Sequence, residues 1–275
     1  MDKQKFLYML APMEDLTNAT FRTLCHKYGA DLTFTELVRL ESLVKKNENV
    51  LERIHIADGT PTAIQVVGAK DASLKEFLAS YRPEPGFSGI NLNLGCPNPK
   101  IVQKGWGCAL MKRVTQVQKL VKIIKTAGYD ASVKLRLGLN QYEKERKVYL
   151  NLLKNVDADF FVVHARHGRQ SYAEPADWSV FQECCATGKR IIANGDIKTK
   201  KDAELLKSYG CAGVMIGREA VKNPGIFGEL KGTKVPSLDE IKKEYLAISS
   251  KDGVFRYRKN LMKHIGEESS DIKEF

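Results

Sequence analysis

Long hydrophobic runs and paired cysteines are both missing from this 275-residue sequence. The amino-terminal stretch MDKQKFLYML holds far too short an apolar segment for a signal peptide or a membrane span, so neither is expected. The six cysteines form no Cys-x-x-Cys pair and lack disulfide-scaffold spacing; they are Cys25, Cys96, Cys108, Cys184, Cys185 and Cys211. The chain is therefore predicted to be cytoplasmic with free thiols, and no metal site is predicted.

Acidic residues are scarce relative to basic ones. Lys and Arg number 44 against 33 Asp and Glu, which gives a formal net charge of +11. Such an excess attracts polyanions such as nucleic acid or phosphorylated cofactors, and a generally solvated basic surface is the equally weighted alternative. Hydrophobic residues make up 43% of the chain, which is enough for a substantial core.

Short apolar runs alternate along the chain with longer amphipathic stretches. Eight runs are predicted strands, at residues 7–10, 31–36, 62–68, 89–95, 131–138, 159–165, 189–195 and 212–217. Gly29, Gly128 and Gly210 fall where the intervening helices should stop. The first strand is not followed by a Gly-x-Gly-x-x-Gly turn, so the pattern favours a (β/α)8 TIM barrel within the α/β class over an open doubly wound sheet.

Several candidate site residues lie at or just past the ends of the predicted strands, where TIM-barrel sites form. They are Met13, Glu36, Gln65, Asn93, Lys134, His164, Asn194 and Arg218. A charged Lys134 in a strand buried on both faces is costly unless it reaches a polar mouth, binds an anion or pairs with a carboxylate. His164 alone is more typical of a hydrogen-bonded core histidine, and its position makes it a site candidate.

The last two predicted strands end in IANGDI and VMIGREAVKNPGIF. In many barrels the loops after strands seven and eight build a phosphate site from backbone N–H groups and a helix amino terminus. Gly195, Gly217 and Arg218 supply the parts of such a site. A phosphate-bearing cofactor is therefore predicted, and the alternative is that the glycines only make tight turns.

Nine short motifs follow one another along this frame. They are APM (11–13), QVVG (65–68), NLGCPNP (93–99), KGWGCALM (104–111), VKLRLG (133–138), VHAR (163–166), YAEPADW (172–178), ANGDI (193–197) and MIGREAVKNPGIF (215–227). Together they resemble the tRNA-dihydrouridine synthases, flavoenzymes that reduce uridine in tRNA. The similarity spans residues 7 to about 230.

This resemblance implies FMN as the cofactor, NADPH as the reductant and tRNA as the partner, with hydride passing from the flavin to C6 of uracil. Pro12 and Met13 would lie against the isoalloxazine, while Gln65 and Lys134 would hydrogen-bond its polar edge. A cation near that edge stabilises the anionic reduced flavin, which gives a buried Lys134 a physical reason to exist.

The same resemblance assigns residues to the rest of the flavin and to the substrate. His164 and Arg166 would line the flavin and substrate side. The ribityl chain and phosphate would be held by Asn194, Gly195, Asp196, Gly217 and Arg218. Asn93 would hydrogen-bond the uracil edge.

Cys96 is the candidate catalytic residue. Hydride addition at C6 leaves enolate-like electron density at C5 and O4, and a proton must reach C5 from the face opposite the flavin. A thiol with an unperturbed pKa of about 8.5 is mostly protonated at neutral pH, so Cys96 would be a competent general acid. A free cysteine taken alone is more often buried and structural, and the family pattern gives the rival thiol Cys108 no role.

Two alternatives accompany this interpretation. Dihydroorotate dehydrogenases share the FMN barrel and a similar Asn-x-x-Cys-Pro-Asn stretch, in which the cysteine removes a C5 proton from a small pyrimidine. The motifs VHAR, YAEPADW and NGDI favour the synthases, as does the basic carboxy-terminal segment. A non-catalytic RNA-binding barrel would be expected to lose the thiol or the flavin residues, and this chain keeps both.

Residues 1–230 are predicted to form the catalytic barrel domain, and residues 231–275 a short helical carboxy-terminal segment that recognises RNA. Ser237 is placed to cap the first of two helices. The second carries the predicted substrate-binding residues Arg256, Arg258 and Lys259 among apolar residues. The alternative has its apolar residues packing on the barrel while the charges are merely solvated.

The sequence departs from the family pattern in two places. The carboxy-terminal segment is shorter than the helical domain that usually positions tRNA. In HARHGRQ, His167 and Gly168 stand where Thr and Arg are common. Both departures concern RNA contacts more than cofactor contacts.

Overall fold

The computed structural model describes residues 5–45, 48–249 and 255–266, without the side chains of residues 49 and 255–258. Within these ranges the strands are β1 (Leu7–Leu10), β2 (Thr33–Phe34), β3 (Val38–Arg39), β4 (Thr62–Val67), β5 (Phe87–Leu94), β6 (Ala131–Leu135), β7 (Phe160–His164), β8 (Ile191–Asn194) and β9 (Gly213–Ile216).

The helices lie mostly between the strands, and they include one 3-10 helix at Gly107–Lys112. The α-helices of the described ranges are α1 (Ala19–Lys27), α2 (Leu40–Val44), α3 (Glu48–Ile54), α4 (Asp71–Ser80), α5 (Pro99–Val102), α6 (Val114–Thr126), α7 (Gln141–Glu145), α8 (Val148–Asn155), α9 (Val180–Cys185), α10 (Lys200–Ser208), α11 (Arg218–Lys222), α12 (Ile226–Lys231), α13 (Leu238–Ser249) and α14 (Phe255–Met262). None of these helices is both long enough and apolar enough to cross a membrane.

The strands form one parallel sheet that closes into a barrel. Hydrogen-bonded neighbours follow the order β1, β9, β8, β7, β6, β5, β4 and β2, and β3 adds to β4. The seam between β1 and β2 is closed by the Met9–Leu32 bridge, and the Leu10 amide donates to the Leu32 carbonyl at 3.0 Å. The predicted (β/α)8 TIM barrel with a short helical appendage is therefore confirmed.

The second strand differs most from its prediction. A strand was expected over residues 31–36, whereas β2 holds two residues and β3 pairs separately with β4. Glu36 is fully buried where the chain turns, and its carboxylate accepts a hydrogen bond from the Asp15 backbone amide. A buried carboxylate must meet donors, and the Asp15 amide supplies one at this break between β2 and β3.

Side chains alternate along each strand between the barrel interior and the surrounding helices. Much of the interior is filled by one apolar cluster: Leu7, Met9, Ala11, Leu32, Phe34, Ala63, Phe160, Val162, Ile192 and Met215. Outward residues such as Val66, Leu92 and Val133 belong to the larger core shared with the helices. The inward positions on β4, β5 and β6 include polar residues, so one wall of the barrel interior is not apolar.

The two predicted carboxy-terminal helices are present and share the core of the barrel. Ser237 caps α13, since its hydroxyl oxygen accepts from the Glu240 backbone amide at 3.4 Å while its own amide donates to the Glu240 carboxylate at 2.8 Å. Apolar side chains from both helices join the larger core, namely Ile241, Tyr245, Leu261 and Ile265. The boundary placed near residue 231 therefore does not separate two hydrophobic cores.

Polar contacts also hold the appendage against the barrel. Lys27 and Tyr28, at the end of α1, each donate to the Glu244 carboxylate at 2.6 Å. The Asn260 side chain on α14 donates to the Asp15 carbonyl at 3.3 Å. Asp15 lies in the loop after β1, so α14 reaches the end of the barrel at which the strands terminate.

Candidate active site

Two cavities open at the carboxyl ends of the strands. The larger, of about 740 Å³, lies beyond β7, β8 and β9 and is lined among others by Arg166, Tyr172, Asn194, Gly195, Asp196, Gly217 and Arg218. The smaller, of about 380 Å³, is lined among others by Pro12, Glu14, Arg53, Gln65, Cys96 and Lys100. Both volumes lie within the range of about 300–1,000 Å³ usual for small-molecule sites.

The loop after β5 presents Cys96 to the smaller cavity. The backbone amides of Gly95 and Cys96 both donate to the Asn93 side-chain oxygen, at 3.1 and 2.9 Å. The Cys108 amide donates to the Cys96 carbonyl at 3.1 Å, and the Cys108 thiol donates to the Gly95 carbonyl at 3.1 Å. Cys108 therefore holds the Cys96 loop through two hydrogen bonds. These contacts give the Cys108 thiol a structural role.

Gly107 allows this close approach. Its φ is +56°, and a Cβ added there would lie 2.4 Å from the Cys96 carbonyl oxygen. A side chain at residue 107 would therefore push the Cys96 loop away from its position. This requirement explains a glycine directly before Cys108.

Burial keeps the proton on the Cys96 thiol. Desolvation raises the pKa of Cys96 above its ordinary value, and the nearby Glu14 carboxylate raises it further. The Asn98 backbone amide and the cations of Arg136 and Lys134 oppose this shift without reversing it. The thiol is therefore protonated at neutral pH and can act as a proton donor.

Pro12 and Met13 form the turn after β1. The preceding Ala11 amide donates to the Ile216 carbonyl at 2.8 Å, which ties this turn to the end of β9. The Thr17 hydroxyl holds the turn from the other side, 3.0 Å from both the amide and the carbonyl of Met13. Pro12 lines the smaller cavity, while the Met13 side chain is buried in the larger core.

His164 ends β7 and is fully buried. Its desolvation, and then the surrounding positive charges of Arg136, Lys134, Arg166 and Arg218, hold its pKa well below the usual range. The Arg166 guanidinium lies 3.4 Å from His164 Nε2. Since an arginine can only donate, Nε2 accepts and the single ring proton is on Nδ1.

Asp196 joins two arginines at the larger cavity. Its carboxylate accepts from Arg166 on one oxygen and from Arg218 on the other, the second at 2.9 Å. Burial alone would raise the pKa of Asp196, but the hydrogen bond from Arg166, the Ala176 amide and both guanidinium charges lower it. The ionised carboxylate therefore fixes both guanidinium groups beside the cavity.

The glycine before Asp196 is required by its surroundings. Gly195 has a φ of +118°, and a Cβ there would lie 3.0 Å from the Ala176 side chain and 3.1 Å from the His164 ring. The Trp178 indole N–H donates to the Gly195 carbonyl at 2.8 Å, which locks the turn. The YAEPADW and ANGDI motifs thus form one packed unit.

Asn194 offers a buried acceptor to the larger cavity. Its amide nitrogen donates to the Met215 carbonyl at 2.9 Å, while its side-chain oxygen is buried and accepts no hydrogen bond from the described residues. An unsatisfied buried acceptor costs about 1–3 kcal/mol. A bound molecule with hydroxyl donors beside an anionic group would satisfy Asn194 and meet the guanidinium groups of Arg166 and Arg218, so these residues fit FMN.

The structure brings most predicted site residues to one rim, including Lys134, which is paired in register with Asn93. Gly217 follows β9 as the N-cap of α11 and lines the larger cavity directly before Arg218. Lys259 is exposed on α14 and lines neither cavity. The side chains of Arg256 and Arg258 lie outside the described residues.

The unpredicted residues at the rim include Tyr172 and Arg136. Tyr172 places its ring 4.4 Å from the Arg218 guanidinium carbon and stacks on His164 at 6.1 Å between ring centroids. Arg136 donates to the Tyr172 hydroxyl at 2.7 Å, and it directly follows β6, which ends at Leu135 rather than at the predicted residue 138. Tyr172 sits in an irregular loop without periodicity, so its motif was the only sequence signal for it.

The protein is a closed parallel (β/α)8 barrel. The rim at the ends of its strands carries a protonated thiol and a cation-lined cavity, and barrels of this class bind anionic ligands at that rim. The family model described as dihydrouridine synthase matches residues 9–272. The chain therefore belongs to the dihydrouridine synthase family.

Individual relatives agree with this assignment. The chain is 33% identical to a probable tRNA-dihydrouridine synthase of Helicobacter pylori, over 94% of this chain and 83% of the relative. It is 32% identical to a probable tRNA-dihydrouridine synthase of Aquifex aeolicus, over 84% and 74% of the two chains. The crystal structure of nitroalkane oxidase from Streptomyces ansochromogenes superposes with a TM-score of 0.50 at 13% identity, over 80% of this chain and 67% of that one, which shows likeness of fold alone.

The Gly107 contact generates a matched test. Gly188 also has a positive φ, of +73°, but nothing lies within 4 Å of a Cβ built there. Gly188→Ala should cost only the left-handed strain of about 1–2 kcal/mol in the free energy of unfolding. Gly107→Ala should cost a further 1–3 kcal/mol or so, because the Cys96 loop must shift. Urea denaturation of both variants measures the difference, and equal losses would contradict the contact.

The raised pKa of Cys96 predicts slow alkylation at neutral pH. Only the thiolate reacts with iodoacetamide, so the rate at Cys96 should rise with a midpoint at a higher pH than that of an ordinary thiol. Cys185 provides an internal control, because a hydrogen bond from Cys211 lowers its pKa and it is only half buried. Peptide-resolved mass spectrometry from pH 6 to about 10 follows both thiols. Labelling of Cys96 as fast as that of Cys185 at pH 7 would refute the protonated thiol.

Proposed function

We propose that this protein is an FMN-dependent tRNA-dihydrouridine synthase that reduces specific uridines of tRNA to 5,6-dihydrouridine with NADPH. The observation that carries the proposal is the Cys96 thiol, held at a cavity on the rim and kept protonated by burial. The relatives from H. pylori and A. aeolicus are named probable tRNA-dihydrouridine synthases, which supports the choice of tRNA as substrate.

The proposal gives each part of the flavin a group of residues. Pro12 would face the ring system together with the backbone of Met13, whose side chain is buried in the larger core, and Gln65 with Lys134 would bind its polar edge. The ribityl chain and phosphate would meet Asn194, Gly195, Asp196, Gly217 and Arg218, with the open Asn194 oxygen accepting from a hydroxyl. FMN bound in this way would supply the hydride for C6 of uracil.

The remaining steps fall to side chains of the chain itself. Cys96 would release its proton to C5, and its raised pKa favours the protonated form that this step needs. Asn93 would donate to a carbonyl on the uracil edge, since its own oxygen already accepts two backbone amides. His164 is neutral, so positive charge on the substrate side would come from Arg166.

RNA binding would use the basic surface of the protein, in keeping with the net charge of +11. In this proposal residues 1–230 are the catalytic domain and residues 231–275 recognise RNA through Arg256, Arg258 and Lys259. The contact of α14 with the loop after β1 brings that segment to the rim. A cytoplasmic location, where tRNA is abundant, belongs to the same proposal.

Turnover assays test the proposed function. Purified protein loaded with FMN should reduce unmodified tRNA transcripts with NADPH, and sequencing-based mapping should locate dihydrouridine. Cys96→Ala should keep flavin reduction by NADPH but lose about 10²–10⁴-fold in product formation, because the proton donor is gone. Cys185→Ala, a half-buried thiol on α9, serves as the matched control and should retain turnover.

Three results would overturn the proposal. They are a protein that cannot be loaded with FMN, a Cys96→Ala variant as active as its parent, and oxidation of dihydroorotate without any reduction of tRNA. The last would establish the dihydroorotate dehydrogenase alternative, over which the family match favours the synthase.

Salt dependence tests the RNA-binding segment. Changing Arg256, Arg258 and Lys259 to Ala should weaken tRNA binding and reduce the slope of log K against log salt by about 0.7–0.9 per lost phosphate contact. The control removes Lys154 and Lys207, which lie near the ends of α8 and α10 at the opposite end of the barrel. Filter binding measures the slope of log K against log salt for both variants. If the two slopes are equal, Arg256, Arg258 and Lys259 make no phosphate contacts beyond those of other surface lysines.

A further inference from the structure

Three buried polar side chains line one wall of the barrel interior at the same level. Gln65 on β4 is paired in register with Asn91 on β5, and Asn91 with Ser132 on β6. All three are at most 3% exposed. The interior layers of such barrels are usually filled by branched apolar side chains, so polar groups here require an explanation.

The three side chains form a continuous hydrogen-bonded row that ends at the Cys96 loop. The Asn91 amide nitrogen donates to the Ser132 hydroxyl and the Gln65 amide nitrogen donates to the Asn91 oxygen, each at 2.8 Å. The Asn93 amide nitrogen donates to the Gln65 oxygen, also at 2.8 Å. The Asn93 oxygen then accepts the backbone amides of Gly95 and Cys96. This row of Ser132, Asn91, Gln65 and Asn93 is called the amide row below.

The direction of the amide row follows from its last members. Backbone amides can only donate, so the side-chain oxygen of Asn93 must face Gly95 and Cys96 and its nitrogen must face Gln65. Gln65 therefore accepts from Asn93 with its oxygen and donates to Asn91 with its nitrogen. Asn91 in turn donates to Ser132, whose hydroxyl is able to accept.

Because the hydrogen-bond direction of the amide row is fixed, the polar groups that this wall presents to a ligand are fixed as well. Gln65 lines the cavity that contains Cys96. Among the described residues, the side-chain nitrogens of Gln65 and Asn93 each use one hydrogen on the row, which leaves each a second hydrogen to donate. The wall therefore offers N–H donors, which suit carbonyl oxygens rather than amino groups.

We propose that Asn91 and Ser132 are positioning residues, which hold Gln65 and Asn93 in this direction and thereby keep the Cys96 loop in place. Without Asn91, the Gln65 nitrogen has no acceptor on β5, so its amide is free to rotate and to withdraw the acceptor from Asn93. Asn93 then loses its orientation beneath the Cys96 amide. The link to turnover rests on the proposed function, whereas the link to the Cys96 loop does not.

Substitutions along the row test this role. Asn91→Leu keeps the number of side-chain heavy atoms but removes the acceptor for Gln65, and Ser132→Ala removes only the terminal acceptor. The matched control is Thr33→Val, which removes a buried hydroxyl bonded to the Pro61 carbonyl at 2.9 Å at the opposite end of the barrel. Thermal unfolding of all three variants reports stability, so any general damage to the barrel is measured separately.

Alkylation of Cys96 by iodoacetamide, without RNA or added cofactor, is the first measurement. Asn91→Leu should label severalfold faster than the parent, with its pH midpoint moved towards that of an exposed thiol, because the loosened loop exposes the sulfur. Ser132→Ala should move in the same direction by less. Thr33→Val should label like the parent.

Turnover on tRNA is the second measurement, and kcat should fall about tenfold or more in Asn91→Leu with KM little changed. The proposal would be overturned if Cys96 were alkylated at the parental rate in both Asn91→Leu and Ser132→Ala. It would also be overturned if Thr33→Val changed that rate as much as Asn91→Leu does. Altered labelling in a protein that never reduces uridine would support the amide row while refuting the proposed function. The two failures are therefore distinguishable.

Discussion

Alternation of side chains along parallel strands that close into a ring is the constraint on which the rest of this protein depends. Closure at the Met9–Leu32 bridge leaves every strand with one face inside the ring and one face against the helices. The outward face is mostly apolar, whereas the inward face changes from an apolar cluster to polar residues, which include those on β4, β5 and β6. The rim at the strand ends is asymmetric too, since the Cys96 thiol lies at one cavity and the arginines Arg166 and Arg218 line the other.

Proton positions on the rim follow from burial and charge. Desolvation raises the pKa of Cys96 and lowers that of His164, so both groups are neutral at pH 7. Asp196 is ionised because two guanidinium groups surround it. The rim therefore combines a thiol that keeps its proton, a histidine that adds no charge, and arginines held in fixed positions.

Supporting contacts explain why small or unexpected residues stand beside the site. Gly107 admits the Cys96 carbonyl, and Cys108 binds the Gly95 carbonyl from below. The Trp178 indole locks Gly195, which in turn packs against the His164 ring. The carboxy-terminal helices add no separate core, because Ile241 and Leu261 join the core of the barrel. The strand-end rim and the appendage are thus parts of one packed structure.

Periodicity by itself determined the eight-stranded barrel, since apolar runs of strand length alternate with amphipathic stretches, and it located Gln65, Asn93, His164 and Asn194 at the strand ends. Motif resemblance determined the family. The tertiary structure alone decided that Asn91 and Ser132 share a row with Gln65, that Tyr172 lies against Arg218, and that the Glu36 carboxylate accepts from the Asp15 amide. Those contacts join residues up to 46 positions apart in the chain, and pairing of that kind depends on strand register and loop path, which local pattern does not encode.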